Sequence, residues 1–358
     1  MLKHLDWYII KKYLGTYLLS IVLIISISVI FDFTEKIDNF IDNNASWKAI
    51  IFDYYLNFIP FFTNMFTPLF SFISVIFFTS KLANNSEIIA MLAGGMSFNR
   101  LLRPYFISAG LIATFSFFLM GFVIPPANKI RLEFEDQYVK KFKSEVARNV
   151  QMEIEPGIII YFERYEEKSK SGYHFSLEKF DDKKLISRLT ANSIKMDSAN
   201  HWTIEKYLIR NFNGIYETIQ KGETMDTVIY MDPEDFFITS QQAVQMNNHD
   251  LSEYIEKQKK RGLGNTQAFQ DEYYKRFSMP LAALILTLIG VSLSSRKIRG
   301  GMGINIGIGI ALSALYILFS TLSSTFAVSG SMNPLLAVWL PNLLFLIIGL
   351  ILYKKAPK

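Results

Sequence analysis

Tyr105-Phe-Ile-Ser-Ala-Gly-Leu-Ile-Ala-Thr-Phe-Ser-Phe-Phe-Leu-Met-Gly-Phe-Val-Ile124 contains no charged side chain and ends against Pro125-Pro126. About 20 apolar residues in a helix cross the hydrocarbon core of a bilayer. The stretch therefore reads as a membrane span, and the proline pair as the place where the chain leaves the lipid. Two similar runs precede it, at 13–33 and 54–78, and three follow, at 277–293, 304–326 and 335–352. Roughly 140 polar residues separate the two triplets. The pattern predicts an α-helical polytopic membrane protein with six transmembrane helices in a 3+3 arrangement and one sizeable extramembrane insert.

Composition agrees. Half of the 358 residues are hydrophobic, with 31 Phe and 18 Tyr, and only 19% are charged. The formal net charge of +5 is unevenly spread. Residues 128–270 carry 21 Lys/Arg against 23 Asp/Glu, so the insert is close to neutral. The surplus flanks the apolar runs, at Lys3, Lys11, Lys12, Lys81, Arg100, Arg103, Arg296, Lys297, Arg299, Lys354, Lys355 and Lys358. Basic short loops stay in the cytoplasm, which predicts cytoplasmic termini and an external insert. The clusters are short, separated by spans and not interleaved with aromatics, which argues against nucleic-acid binding. The first run is longer than a signal-peptide core and ends in Phe31-Asp32-Phe33, so it reads as an uncleaved span.

The absence of cysteine excludes disulfides, thiol catalysis and Cys-ligated metal. Four scattered histidines, none at i,i+4 spacing, do not supply a metal site. No G-x-x-x-x-G-K-[ST] is present, so the chain binds no ATP through a P-loop. Gly300-Gly-Met-Gly-Ile-Asn-Ile-Gly-Ile-Gly309 opens an apolar run instead of following a strand. Its Gly303 and Gly307 have the spacing that lets membrane helices approach closely, within the chain or across to a partner.

Leu5–Lys12 reads as an amphipathic helix at the cytoplasmic interface, with Trp7 and Tyr8 at headgroup depth, or as an extension of the first span. Pro60 and Pro68 interrupt the second run. After Asn128, apolar residues at helical spacing (Ile130, Phe134, Tyr138, Phe142) predict a helical stalk. From Val150 the period becomes two. Strands are predicted at 157–165, 172–180, 185–196, 202–212 and 215–219, with turns at Asp181-Asp182, 197–200 and Asn213-Gly214. Such spacing implies a sandwich or jelly-roll, its inner face drawn from Ile158, Ile160, Phe162, Tyr173 and Phe175. A helix is expected at 250–261.

The loop Lys81-Leu-Ala-Asn-Asn-Ser-Glu-Ile-Ile-Ala-Met-Leu-Ala-Gly-Gly-Met-Ser-Phe-Asn-Arg100 is richer than a connector requires. Ser86 is an N-cap residue type, and Glu87 suits the positive end of a helix dipole. Ile88, Ile89, Leu92 and Met96 form an apolar stripe, and Gly94-Gly95 ends the helix. Such a helix fits a groove on a soluble motor subunit or lies on the membrane surface; physical reasoning alone leaves both open.

This loop resembles the coupling-helix motif of the YjgP/YjgQ permease family, the LptF/LptG subunits of the lipopolysaccharide exporter. Leu5-Asp6-Trp7-Tyr8-Ile9, Val123-Ile-Pro125-Pro-Ala-Asn128 and Tyr274-Lys-Arg-Phe-Ser-Met-Pro280-Leu-Ala resemble three further family segments in the same order. The opening and the coupling loop lean towards LptG. The resemblance implies an ABC-transporter permease of the bacterial inner membrane, paired with a paralogous permease and a cytoplasmic ABC ATPase dimer. This chain would bind no cofactor, and ATP would be used by the ATPase. The transporter would extract lipopolysaccharide and pass it to a periplasmic jelly-roll bridge protein. Domains would then be 1–127 (spans one to three, coupling helix about 85–96), 128–268 (a periplasmic β-jelly-roll with helical stalks) and 269–358 (spans four to six). Coupling to the ATPase would fall to Ser86, Glu87, Ile88, Leu92 and Gly94. The cavity walls would come from runs one and five, giving Phe31, Asp32, Lys36 and Phe319 as lipid-contact candidates. The family places a basic residue near the outer end of the first span; here Asp32 occupies that place and Lys36 lies one turn further out.

Two other classes compete. An ion-coupled transporter needs charges or broken helices at mid-membrane, whereas runs one, three, four, five and six hold none away from their ends. A membrane-anchored binding scaffold would not need the cytoplasmic amphipathic helix.

Overall fold

The computed structural model describes residues 3–139, 146–182, 184–198, 200–214, 216–231, 233, 236, 240–260, 266–296 and 302–356. The chain forms two compact units. One holds 1–139, 244–249 and 267–358; the other holds 140–243 and 250–266. In chain order the first unit contains α1 (His4–Asp42), α2 (Trp47–Ala49), a π-helical stretch Ile50–Tyr55, α3 (Leu56–Asn84), α4 (Glu87–Ala93), α5 (Phe98–Phe118), a second π-helical stretch Leu119–Val123 and α6 (Ile124–Tyr138). Strands β1 (Val146–Glu155), β2 (Ile158–Glu166), β3 (Ser171–Asp181), β4 (Lys184–Ser198), β5 (His201–Asn213) and β6 (Tyr216–Val228) follow, then α7 (Ser240–Ala243) and α8 (Asn248–Lys260). The chain ends with α9 (Gln267–Ser294), α10 (Met302–Val328) and α11 (Pro334–Lys355). Among the described residues six helical stretches are long and apolar enough to cross a membrane, three before the strands in sequence and three after them. The protein is thus a six-span helical membrane protein with an inserted, jelly-roll-like β unit.

Leu5–Lys12 is not a separate interfacial helix. It continues into the first span, because its buried positions Asp6, Ile9 and Ile10 join Tyr13, Tyr17, Ile21 and Ile25 in one seam at three- and four-residue spacing. The 39 residues of α1 measure about 58 Å, nearly twice the hydrocarbon thickness. The third span does not stop at the proline pair either. A π-helical stretch hands over to α6 with no break in the helical backbone, and α6 carries Pro125-Pro126 in its first turn. On α6 Phe134 is buried, but Ile130 is exposed and the inward positions are Ile124, Ala127, Asn128, Leu132 and Phe134. Phe142 lies outside the described residues.

Lipid offers no hydrophobic drive between helices, so close packing and interhelical hydrogen bonds hold such a bundle. Tyr13 Oη bonds Ser71 Oγ (2.7 Å) on α3 and Thr287 Oγ1 (2.8 Å) on α9. Tyr17 Oη bonds Thr67 (2.8 Å), Asn305 Nδ2 donates to Ser80 (3.1 Å), and Asn342 links Tyr316 (2.9 Å) to the Ser278 carbonyl (2.8 Å). At Gly290 a Cβ would stand 2.3 Å from Val75 Cγ1, and at Gly309 one would stand 2.4 Å from Ile76 Cδ1. These glycines set the α3–α9 and α3–α10 approaches. Gly309→Leu is therefore expected to destabilise the chain by about 1–3 kcal/mol through overpacking. Gly303→Leu, where nothing lies within 4 Å, should change thermal stability by no more than about 0.5 kcal/mol. Melting curves of the two purified variants in one detergent check the contrast.

The second unit carries a six-stranded antiparallel sheet in the order β1-β2-β3-β4-β5-β6. The predicted strands appear at β2 to β6, the last running on to Val228. Ile160, Phe162 and Phe175 are buried as expected, whereas Ile158 and Tyr173 are only half-buried. Ile158 keeps the alternation but stands at the end of β2; for Tyr173 the reason is a fault in the alternation. One cross-strand row reads Val150, Phe162, Phe175, Ala191, Tyr207, Gly222; the next inward-facing row reads Ala147, Tyr165, Gly172, Ile194, Ile204, Met225. On every strand these are three residues apart instead of two. His174 (φ 52°) and Lys206 (φ 50°) sit between the rows in left-handed conformation, absorbing the extra residue as a bulge does. Gly172 and Gly222 occupy the rows because a Cβ there would fall 2.4 Å from Phe162 and 2.5 Å from Tyr207.

Candidate functional site

The 81–100 loop singled out in the sequence forms a short elbow between α3 and α5. Ser86 precedes α4 but does not cap it: its φ of 62° is left-handed, and capping needs an extended backbone to aim the hydroxyl at the first turn. Asn85 Nδ2 instead donates to Glu87 Oε1 (3.1 Å). The far end behaves as the glycines predict. Gly95 adopts φ 84°, its N–H donates to the Leu92 carbonyl (3.0 Å), and Met96 N–H reaches back to Met91 (3.2 Å).

The apolar stripe differs by one residue from the expected one. Ile88 is fully buried, and Met91, Leu92 and Met96 pack on the same apolar cluster, but Ile89 points outward and is 52% exposed. Ile89 lies about 100° around the helix from Ile88, so both cannot face the bundle. The result is a helix fixed by one side and free on the other, where Ile89, Ala90, Ala93 and Gly94 are exposed and Glu87 is half-buried.

At the opposite end of the first span, Lys36 does not stand free. Its Nζ lies 2.8 Å from Asp32 Oδ1 and 3.4 Å from Glu135 Oε1, and it bonds the Tyr54 hydroxyl. Tyr54 Oη donates to Asp32 (3.1 Å), and Tyr55 Oη donates to the other carboxylate oxygen (3.2 Å). All three charged side chains are under a fifth exposed. The structure therefore holds Lys36, towards the C-terminal end of α1, between two carboxylates, and the cluster fastens α1 to the π-helical turn and to α6. Tyr54, Tyr55 and Glu135 were not singled out from sequence. Only their contacts reveal them, across 18 to 99 residues of chain.

The remaining candidates are dispersed. Phe31 is 70% exposed on α1, and Phe319 is half-buried on α10, on a different helix from the Asp32–Lys36 cluster. Gly303 and Gly307 have open space beside them, so the close helix approach on α10 is made by Gly309.

No curated protein matches the chain. The family described as the lipopolysaccharide export system permease LptF/LptG matches residues 7–355, nearly the whole length, without separating LptF from LptG. Six spans, the inserted sheet and the elbow all fall within that match, and the chain belongs to the LptF/LptG permease family.

Proposed function

We propose that the chain is the non-catalytic permease half of an ABC exporter that lifts lipopolysaccharide out of the inner membrane of a bacterium. In this reading the termini and α4 are cytoplasmic, the β unit is periplasmic, and ATP is hydrolysed by a separate ATPase dimer. A paralogous permease completes the transmembrane part, and a periplasmic jelly-roll protein receives the lipid. The reading rests on α4: a helix anchored through Ile88 between two spans, with Ile89, Ala90, Ala93 and Gly94 left open for a soluble partner's groove.

Energetics support an external motor. Exposing acyl chains costs about 0.8 kcal/mol per CH₂, and no nucleotide-binding motif lies in this chain. The helices expected to wall a shared cavity are also the least covered by the rest of the chain. The apolar windows of α1 and α10 are 17% and 22% buried, against 33–61% for the other four spans. Neither contains a proline, whereas α3, α5, α9 and α11 all do.

Reconstitution with an ATPase dimer and a second permease in proteoliposomes containing lipopolysaccharide tests the proposal. Lipid release that requires ATP is expected. Release at the same rate without ATP, or none with all three components bound, would refute it.

A further inference from the structure

We infer that Asp6 and Arg100 form the fixed joint through which movement of α4 reaches α1, an assignment that rests on reading α4 as the motor contact. Arg100 stands in the first turn of α5, just beyond the Gly95 turn that closes α4. A cation there opposes the helix dipole. What holds it is Asp6, in the first turn of α1 and 94 residues away in sequence. The guanidinium grips both carboxylate oxygens, Nη1 to Oδ1 at 2.7 Å and Nη2 to Oδ2 at 2.6 Å. Asp6 is 2% exposed and also accepts the Lys3 N–H at 2.7 Å.

Buried ion pairs add little net stability over apolar packing of the same volume. A two-armed Arg–carboxylate bond instead fixes distance and angle. The place where that rigidity is installed is informative. Ile88, Met91 and Leu92 of α4, and Met96 just beyond it, are set in the bundle's main apolar cluster, to which Leu5 and Ile9 of α1 and Phe98 and Leu101 of α5 also belong. The pair therefore pins the entrance of α1 to that of α5, the helix that follows the motor-facing α4 after one short turn. From Asp6, α1 runs without a proline or a π turn to Asp42, a stiff rod of about 55 Å. Its outer part carries Asp32 and Lys36, so a rotation imposed at the joint reaches the far side of the membrane. Freed from Arg100, α1 would still pack through its buried seam and its Tyr13 and Tyr17 bonds, but its cytoplasmic end would slip when α4 moves.

The test uses the full chain co-reconstituted with the second permease and the ATPase, with hydrolysis and lipopolysaccharide release read in parallel. In Asp6→Asn and Arg100→Gln, ATPase recruitment and hydrolysis should hold at the parent level while lipid released per ATP falls at least about fivefold. The double substitution should be no worse than either single one, because both remove the same joint. Arg100→Lys, which keeps the charge and loses the fork, should fall between. Unchanged release per ATP in the single variants overturns the inference. A parallel loss of ATPase recruitment does so too, since it marks the pair as structural only, and so do losses that multiply in the double variant. A parent chain that recruits no ATPase sinks the reading of α4 itself, and the joint with it.

Discussion

Glu87→Arg is expected to abolish capture of the proposed ATPase, with an apparent affinity loss of about 100-fold or more, while the chain still inserts and folds. The argument starts from where Glu87 sits. It opens α4 half-buried, and its hydrogen bond is to Asn85 within the same turn, so its replacement leaves the bundle's core untouched. Local cost is confined to placing a cation at a helix N-terminus, about 0.3–1 kcal/mol. At an interface with a complementary cation the same change sets like charges together, which costs several kcal/mol. Co-purification with a tagged ATPase checks it; full recovery of ATPase with the variant would remove α4 from the interface. Gly94→Leu makes a useful companion, because a Cβ there falls 3.2 Å from the Ala90 carbonyl and a bulky side chain would cover the open face.

Lys36→Ala is expected to lower stability by about 3–5 kcal/mol, because it strands two carboxylates that share one ammonium in a mostly covered site. A cation presented only to lipid phosphate would behave otherwise: its removal would weaken lipid binding and leave melting unchanged. Unfolding of the purified chain in lipid-free detergent separates the two outcomes. Adding Asp32→Asn to Lys36→Ala should recover part of the loss, since one uncompensated charge is then gone.

Much of the fold was legible in the sequence because the signals are local and the physics unforgiving. Hydrocarbon length sets 105–124 apart from any soluble helix of this composition, and period two set off 172–180 and 202–212 as strands. The elbow was legible from Gly94-Gly95, whose left-handed turn few other residues adopt. What failed were inferences that depend on partners far along the chain. Ser86 is a good cap by residue type, yet the turn from α3 imposes a backbone that turns its hydroxyl away. Ile89 and Met91 are interchangeable in a hydrophobic pattern, and only the packing of α4 decides which faces inward. Lys36 reads as a free cation until Glu135, 99 residues on, closes against it. Tyr173 alternates correctly with Phe175, but the fault between them puts Gly172 on the inner face in its place.

That fault has a bearing on how the β unit finds its pairing. In a regularly alternating sheet, a strand displaced by two residues keeps every apolar side chain on the proper face and forfeits only its ends. Here every strand carries the odd interval between the two rows, and all six must line up for the rows to close. A two-residue slip leaves one strand's irregular step opposite its neighbour's regular one and turns half its apolar residues to water. The sheet is keyed by that shared notch, and misregistered neighbours are rejected.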